Sequence, residues 1–155
     1  MTVRIVTDSA SDLTHDEATA LGIDVVPLSI RFGDDVFLDR VELGIDEFYR
    51  RMADSEDLPQ TAAPAPGAFQ EVFRRRFADG ADAIVCINLS SGVSATMESA
   101  ELAARETDGD VRVVDSRSVT AGLGMMVLAA AEAAAGGAGA DEIVGLMEAM
   151  RERTR

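Results

Sequence analysis

The sequence contains few of the side chains on which metal, redox and nucleophilic sites depend. In 155 residues there are one cysteine, one histidine and no tryptophan. A single cysteine excludes an internal disulfide and a metal site built from several cysteines. Cys86 lies in an apolar run without a basic neighbour to lower its pKa, so we expect it in the core rather than as a nucleophile. No Gly-x-Ser-x-Gly sequence accompanies His15, so a Ser-His-Asp triad is not indicated.

Positive charge is also scarce in this chain. The 14 basic residues are outnumbered by 28 acidic residues, which gives a net charge of −14. Such a surface repels nucleic acid and anionic membranes, so neither is an expected partner. The apolar segment 119–135 is interrupted by Gly122, Gly124 and Glu132, and it is expected to form a buried helix rather than to insert stably in a membrane. The first residues do not resemble a signal peptide, and we expect a cytoplasmic protein.

Strand-like and helix-like segments alternate along the chain. This alternation predicts one α/β domain with a mainly parallel sheet and helices on both faces. The predicted strands lie at residues 3–6, 83–88 and 111–114, and the predicted helices at 14–21, around 69–77, around 97–104, 119–135 and 141–153.

The segment between the first two of these helices has a different pattern. Residues 25–32 are predicted to form one strand, which a turn at 33–35 returns along 36–38 as a hairpin. Asp46 is expected to cap a following helix. Residues 54–67 are rich in proline and are predicted to form a loop that lies over the functional site.

Three predicted strands are followed by turns rich in hydroxyl and carboxylate side chains. These turns are residues 7–12, 90–96 and 115–118. Right-handed crossovers bring the carboxyl ends of parallel strands to one edge of the sheet, so we expect the three turns to converge. Helix starts and hydroxyl groups there can hold a carboxylate or a phosphate without a cation. The alternative is that the hydroxyl groups only cap helices and bind no ligand.

Two other features of the sequence resemble ligand sites. Asp8, Asp12 and Asp115 are chemically suited to a hard cation, but carboxylates at strand ends also cap helices, and we favour caps over a metal site. Gly122-x-Gly124 follows no strand directly and lacks a third glycine, so it is weak support for a dinucleotide site.

Six short motifs occur together in the order found in one known family. The set resembles the DegV family, the bacterial fatty-acid-binding proteins that serve as the carrier subunit of fatty acid kinase. The resemblance runs from about residue 3 to the end of the chain. The motifs are Thr7-Asp8-Ser9-Ala10-Ser11-Asp12-Leu13, Val26-Pro27-Leu28, Asp39, Thr61-x-x-Pro64, Leu89-Ser90-Ser91-Gly92-Val93-Ser94 and Val114-Asp115-Ser116.

The resemblance implies a two-domain protein that binds a long-chain fatty acid and uses no cofactor. It implies that Thr61 and Ser91 hold the carboxylate of the fatty acid at the junction of the two domains. Asp39 matches an aspartate that assists the transfer of phosphate to the acyl group. The chemistry itself belongs to an ATP-binding kinase subunit, so the chain is expected to be a binding subunit and not an enzyme. Further expected ligand-binding residues are Ser9, Ser90, Gly92 and Ser94.

The sequence departs from the family pattern in two ways. The usual Thr-Ser-x-Pro-Ser reads Thr61-Ala62-Ala63-Pro64-Ala65 here, which removes two hydroxyl groups. Family members are also about twice as long, so we interpret residues 1–155 as the N-terminal α/β domain without the second domain. We expect either a fragment or a natural short form, whose apolar surface near the turns favours self-association.

Two other functions remain open from the residues alone. A small hydrolase or phosphatase acting on an anionic substrate would use Ser91 or Asp8. A plain interaction domain would use its polar turns only as helix caps.

Overall fold

The computed structural model describes residues 1–154, which form seven strands, six α-helices and a short 3₁₀ helix. None of the helices in this range is long and apolar enough to cross a membrane. The elements in chain order are β1 (Val3–Asp8), the 3₁₀ helix (Ser9–Ser11), α1 (His15–Leu21), β2 (Asp24–Val26), β3 (Ser29–Phe32), β4 (Asp35–Leu38), α2 (Ile45–Asp54), β5 (Gln60–Ala62), α3 (Pro66–Ala78), β6 (Ala83–Asn88), α4 (Thr96–Arg105), β7 (Asp110–Asp115), α5 (Thr120–Ala135) and α6 (Ala140–Arg153).

Four parallel strands form the main sheet in the order β2-β1-β6-β7. Every residue of β6 is buried, because this central strand is covered on both faces, and its sequence is accordingly a continuous apolar run. On one face α1, α5 and α6 pack through side chains such as Leu123 and Ile143. On the other face α3 and α4 pack through Phe69, Phe73 and Ala100. The predicted parallel α/β sheet with helices on both faces is confirmed.

The first helix shows how local sequence sets the ends of an element. The Glu17 N–H donates to Thr14 Oγ1 at 3.2 Å, and the Thr14 N–H donates to the Glu17 carboxylate at 2.8 Å, which together form a capping box. Gly22 follows the helix with a φ of 64°, the left-handed conformation that ends many helices. The predicted glycine stop is confirmed.

A second, smaller sheet corrects the prediction of one long strand. Residues 25–32 divide at Pro27 into β2, in the main sheet, and β3, which pairs antiparallel with β4 and β5 in the order β4-β3-β5. Proline has no N–H with which to continue a ladder. The next N–H, that of Leu28, donates to Ser9 Oγ at 3.0 Å rather than to a strand. The predicted hairpin return along 36–38 is confirmed.

The prediction of a continuous loop at residues 54–67 is also wrong, because this segment contains β5. All three residues of β5 are exposed, and so short a strand has no alternating pattern that separates it from a loop. The helix predicted after Asp46 is present as α2, but the cap is different. Gly44 occupies the N-cap position without a side-chain hydrogen bond. Asp46 lies in the first turn, where its negative charge interacts favourably with the positive end of the helix dipole.

Candidate functional site

The three polar turns lie together at the carboxyl edge of the main sheet, as the crossover argument predicts. The first and second turns are joined where the Leu89 N–H donates to Asp8 Oδ2 at 2.9 Å. The second and third are joined where the Ser90 N–H donates to the carbonyl of Ser118, also at 2.9 Å. Hydrogen bonds between the turns, and not only the strand order, therefore bring the candidate residues together.

Asp8 is a fully buried carboxyl that holds the first two turns in place. Besides the Leu89 N–H it accepts the Ala10 N–H at 3.0 Å and the side-chain amide of Asn88 at 3.1 Å. Burial raises the pKa of Asp8 above 3.8, although these hydrogen bonds act against the rise. The bond to Ala10 caps the 3₁₀ helix, as predicted for this carboxylate. Because its side chain is fully buried and bonded to the protein, Asp8 is not placed to attack a substrate.

The second turn presents one serine to solvent and uses its other two serines internally. Ser90 Oγ accepts the Gly92 N–H at 3.3 Å, and Ser94 Oγ accepts the Thr96 N–H at 3.2 Å at the start of α4. Ser91 and Gly92 are exposed, whereas Ser90 and Ser94 are half-buried. Of the serines predicted to bind ligand in this turn, Ser91 is therefore the exposed one, and Ser90 and Ser94 maintain the shape of the turn.

Ser91 is paired with Asp115 of the third turn. The Ser91 hydroxyl donates to Asp115 Oδ2 at 2.6 Å, and the Ser91 N–H donates to Asp115 Oδ1 at 3.2 Å. The Arg117 N–H donates to the same Oδ1 at 2.9 Å. Partial burial by itself raises the pKa of Asp115, but these hydrogen bonds and the charge of Arg117 outweigh burial and hold the pKa below 3.8. Asp115 is therefore a carboxylate at neutral pH.

Two glycines let α5 approach the turns closely, and the sequence offered no such role for them. A Cβ on Gly124 would lie 2.5 Å from the backbone carbonyl oxygen of Ser11, and a Cβ on Gly122 would meet the side-chain hydroxyl of Ser118. Glycine is required at the close backbone contact of Gly124, whereas the Ser118 side chain can turn away from Gly122. The Gly-x-Gly pattern at the start of a helix thus reflects packing of α5 against the first and third turns, and its only visible signal was that spacing.

Ser9 and Asp39 lie next to a different part of the surface. Ser9 Oγ accepts the Leu28 N–H at 3.0 Å, and the Leu28 carbonyl accepts the Asp39 N–H at 2.9 Å, so one residue links both to the second sheet. Both residues line a cavity of about 630 Å³ between α1, β2 and the segment leading into α2. Arg40, on the rim, forms a 2.5 Å ion pair with Asp12 of the first turn. Ser91 and Thr61 do not line this cavity.

Thr61 is carried by β5 of the second sheet and is exposed. Its strand partner is Ile30 of β3. This strand begins one residue after Leu28, whose N–H donates to Ser9. Among the hydrogen bonds formed within residues 1–154, none joins Thr61 to the serine turn. The structure thus brings Ser90, Ser91, Gly92 and Ser94 together and places Thr61 on the neighbouring sheet.

The remaining chemically active side chains lie apart from this edge or are buried. Burial and the nearby charge of Asp8 raise the pKa of the Cys86 thiol well above its usual value, and this side chain lies in the core as predicted. His15 is exposed in the first turn of α1. In the part of the chain that the structure describes, no group of three or more His, Cys, Asp or Glu side chains is placed to hold a metal ion.

The sequence model of the DegV family, which is described as a family of uncharacterised proteins, matches residues 2–155. The chain belongs to the DegV family. A DegV domain-containing protein from Deinococcus radiodurans is 37% identical over 148 residues, which make up 96% of this chain and 52% of the relative. The family resemblance inferred from the order of the motifs is therefore confirmed, and the similarity covers residues 2–155.

Solved DegV structures share the fold described above. A DegV family protein from Thermus thermophilus, described as binding fatty acid, matches with a TM-score of 0.90 and 35% identity over 98% of this chain and 54% of that chain. A protein from Eubacterium ventriosum, described as binding stearic acid, matches with a TM-score of 0.86 and 27% identity over 94% of this chain and 52% of that chain. This DegV chain spans about half the length of the relatives it matches.

Proposed function

We propose that this DegV chain is the head-group-binding half of a fatty-acid carrier, in which Ser91 binds the carboxylate of a long-chain fatty acid. The observation that carries the proposal is the exposed Ser91 of the second turn, bonded to Asp115 of the third, in a fold whose solved relatives are described as binding fatty acids. Both the N–H and the hydroxyl of Ser91 donate to Asp115, and a ligand carboxylate would accept a hydrogen bond from the hydroxyl once it turns away from Asp115. Helix α4 begins at Thr96, and its N-terminal end favours an anion.

The surrounding residues fit supporting parts in this site. Ser90 and Ser94 hold the turn in shape, Gly92 leaves room for a close approach of the head group, and Ser9 anchors the second sheet to the first turn. Thr61 would supply a further hydroxyl from the second sheet. A carboxylate held by both Thr61 and Ser91 would bridge the two sheets, which no hydrogen bond of Thr61 within residues 1–154 does.

Exposed apolar side chains next to the turns favour an acyl chain over a small anion. Val93, in the second turn, is 70% exposed, and Val119, which directly precedes α5, is 42% exposed. Each methylene that leaves water on binding contributes about 0.8 kcal/mol, so a long chain adds more than its head group. In the absence of ligand the same surface would favour self-association of this chain, which sedimentation velocity with and without fatty acid tests directly.

The hydrolase alternative lacks a strong base at Ser91, because the pKa of the neighbouring Asp115 carboxylate is lowered. The hydroxyl of Ser91 donates to a carboxylate, whereas the only histidine of the sequence is exposed on α1. Binding therefore fits the geometry better than turnover.

The test of binding is native mass spectrometry of the purified chain followed by lipid extraction. We expect a fatty acid bound to the wild-type chain and to Ser99→Ala, a control on α4 beyond the turn, and we expect its loss in a Thr61→Ala, Ser91→Ala double variant. Retention of the same lipid by the double variant would overturn the proposed site.

We also propose that the bound fatty acid is presented to an ATP-binding kinase subunit and that Asp39 assists phosphate transfer. Asp39 is half-buried and lines the cavity, and its backbone N–H donates to the Leu28 carbonyl. We expect Asp39→Asn to keep its fatty acid and to lose acyl phosphate formation with kinase and ATP, whereas Asp34→Asn, in the exposed hairpin turn, should keep both. Wild-type acyl phosphate formation by Asp39→Asn would contradict this role.

A further inference from the structure

The Asp115 carboxylate lies next to the Ser91 hydroxyl, the group proposed to bind the head group of the ligand. A serine hydroxyl has one proton, and the Ser91 proton lies on the 2.6 Å bond to Asp115 Oδ2. In this arrangement Ser91 Oγ offers a ligand only acceptor lone pairs. A ligand carboxylate can therefore gain a hydrogen bond from this hydroxyl only if the hydroxyl turns away from Asp115.

The geometry of Asp115 permits that exchange. Its Oδ1 accepts the Arg117 N–H at 2.9 Å and the Ser91 N–H at 3.2 Å, whereas its Oδ2 accepts only the Ser91 hydroxyl among the described residues. When the hydroxyl turns to a ligand, Asp115 keeps two backbone donors and its charge. The charge then faces the ligand at short range. A ligand oxygen about 2.7 Å from Ser91 Oγ comes within roughly 5 Å of Asp115 Oδ2, a separation at which like charges disfavour one another.

We propose that Asp115 is a specificity-determining residue that occupies the Ser91 hydroxyl in the empty site and discriminates against head groups according to their negative charge. This inference rests on the proposed binding of a head group at Ser91. The Asp115 charge does not repel a neutral head group, it repels a carboxylate, and it repels a dianionic phosphate about twice as strongly. The site thus accepts a fatty acid and disfavours a ligand that ends in a phosphate, including a phosphorylated form of the same lipid.

Replacement of Asp115 by asparagine removes the charge and releases the Ser91 hydroxyl, and the charge effect is the part of the gain that grows with the charge of the probe. Because both backbone N–H groups bind Oδ1, the asparagine oxygen takes that position and its amide nitrogen replaces Oδ2. The amide then donates to Ser91 Oγ and frees the serine proton for the ligand. Asp108→Asn is the matched control, because it makes the same change in net charge at an exposed position before β7, at the opposite end of that strand.

The experiment is an NMR titration of the 155-residue chain at pH 8 with decanol, decanoate and decyl phosphate, which share one alkyl chain and differ in charge. For Asp115→Asn we expect, relative to any change in the affinity for decanol, roughly fourfold tighter binding of decanoate and roughly 15-fold tighter binding of decyl phosphate, from Coulomb repulsion at about 5 Å in water. Asp108→Asn should match the wild-type chain. Asp115→Ser, which also removes the charge, replaces Asp115→Asn if the latter does not fold.

The outcomes separate this inference from the proposed function. If Ser91→Ala binds all three probes as tightly as the wild-type chain, the head-group site itself is wrong. If Ser91→Ala weakens decanoate binding but Asp115→Asn leaves both anionic probes unchanged or weaker, the site stands and charge discrimination by Asp115 is overturned. A graded gain with probe charge supports both.

Discussion

Replacement of Asp8 by alanine should destabilise the fold strongly, because the buried carboxyl is the acceptor that unites two turns. The substitution leaves the buried N–H of Leu89 and the side-chain amide of Asn88 without this acceptor and removes the cap on the Ala10 N–H. An unpaired buried polar group costs about 1–3 kcal/mol, so the expected loss is about 3–5 kcal/mol of the free energy of unfolding.

The assay for this prediction is urea denaturation followed by circular dichroism. At an m-value of about 2 kcal/mol/M, the expected loss moves the midpoint by about 2 M. Asp108→Ala removes an exposed carboxylate and should change stability by less than about 0.5 kcal/mol. A loss below about 1 kcal/mol in the free energy of unfolding of Asp8→Ala would show that the two turns keep their arrangement without the buried acceptor, and Asp8 would then not be what holds them together.

Two further predictions concern close packing and pH. Gly124→Ala should lower the free energy of unfolding by about 1–3 kcal/mol, because its Cβ would lie 2.5 Å from the backbone carbonyl of Ser11. Gly145→Ala, in open space within α6, should raise it by about 0.5–1 kcal/mol. Thermal melts in which Gly145→Ala is the less stable variant would contradict this packing. Asp115 has a lowered pKa in the folded chain, so its contribution is present above about pH 3.8 and is lost as pH falls through the folded value. Chemical denaturation of wild-type and Asp115→Asn chains should therefore show a stability difference that shrinks between pH 6 and pH 3, and a constant difference would count against the Ser91 bonds as its cause.

The sequence was sufficient for features that depend on local pattern. The buried run at 83–88 and the helical spacing of the phenylalanines in α3 each identify one element without knowledge of its neighbours. The convergence of the strand ends at one edge of the sheet then follows from general rules on crossovers, and it predicts that the three turns meet. The family followed from the order of short motifs.

Features that depend on contacts between distant segments could not be predicted in this way. The division of 25–32 between two sheets depends on the bond from Leu28 to Ser9, whose partners are 19 positions apart. The bond between Ser91 and Asp115 joins residues 24 positions apart, and no periodicity of the chain reports it. β5 escaped recognition because a strand of three exposed residues has no pattern of its own.

Carbon NMR of palmitate labelled at the carboxyl carbon tests directly whether a fatty-acid carboxylate binds at Ser91. On addition of the wild-type chain we expect a separate bound carboxyl signal, which also appears with the Ser99→Ala control. In Ser91→Ala this signal should disappear or move to the position of free palmitate. An unchanged bound signal in Ser91→Ala would contradict the account, because the carboxylate would then be held elsewhere.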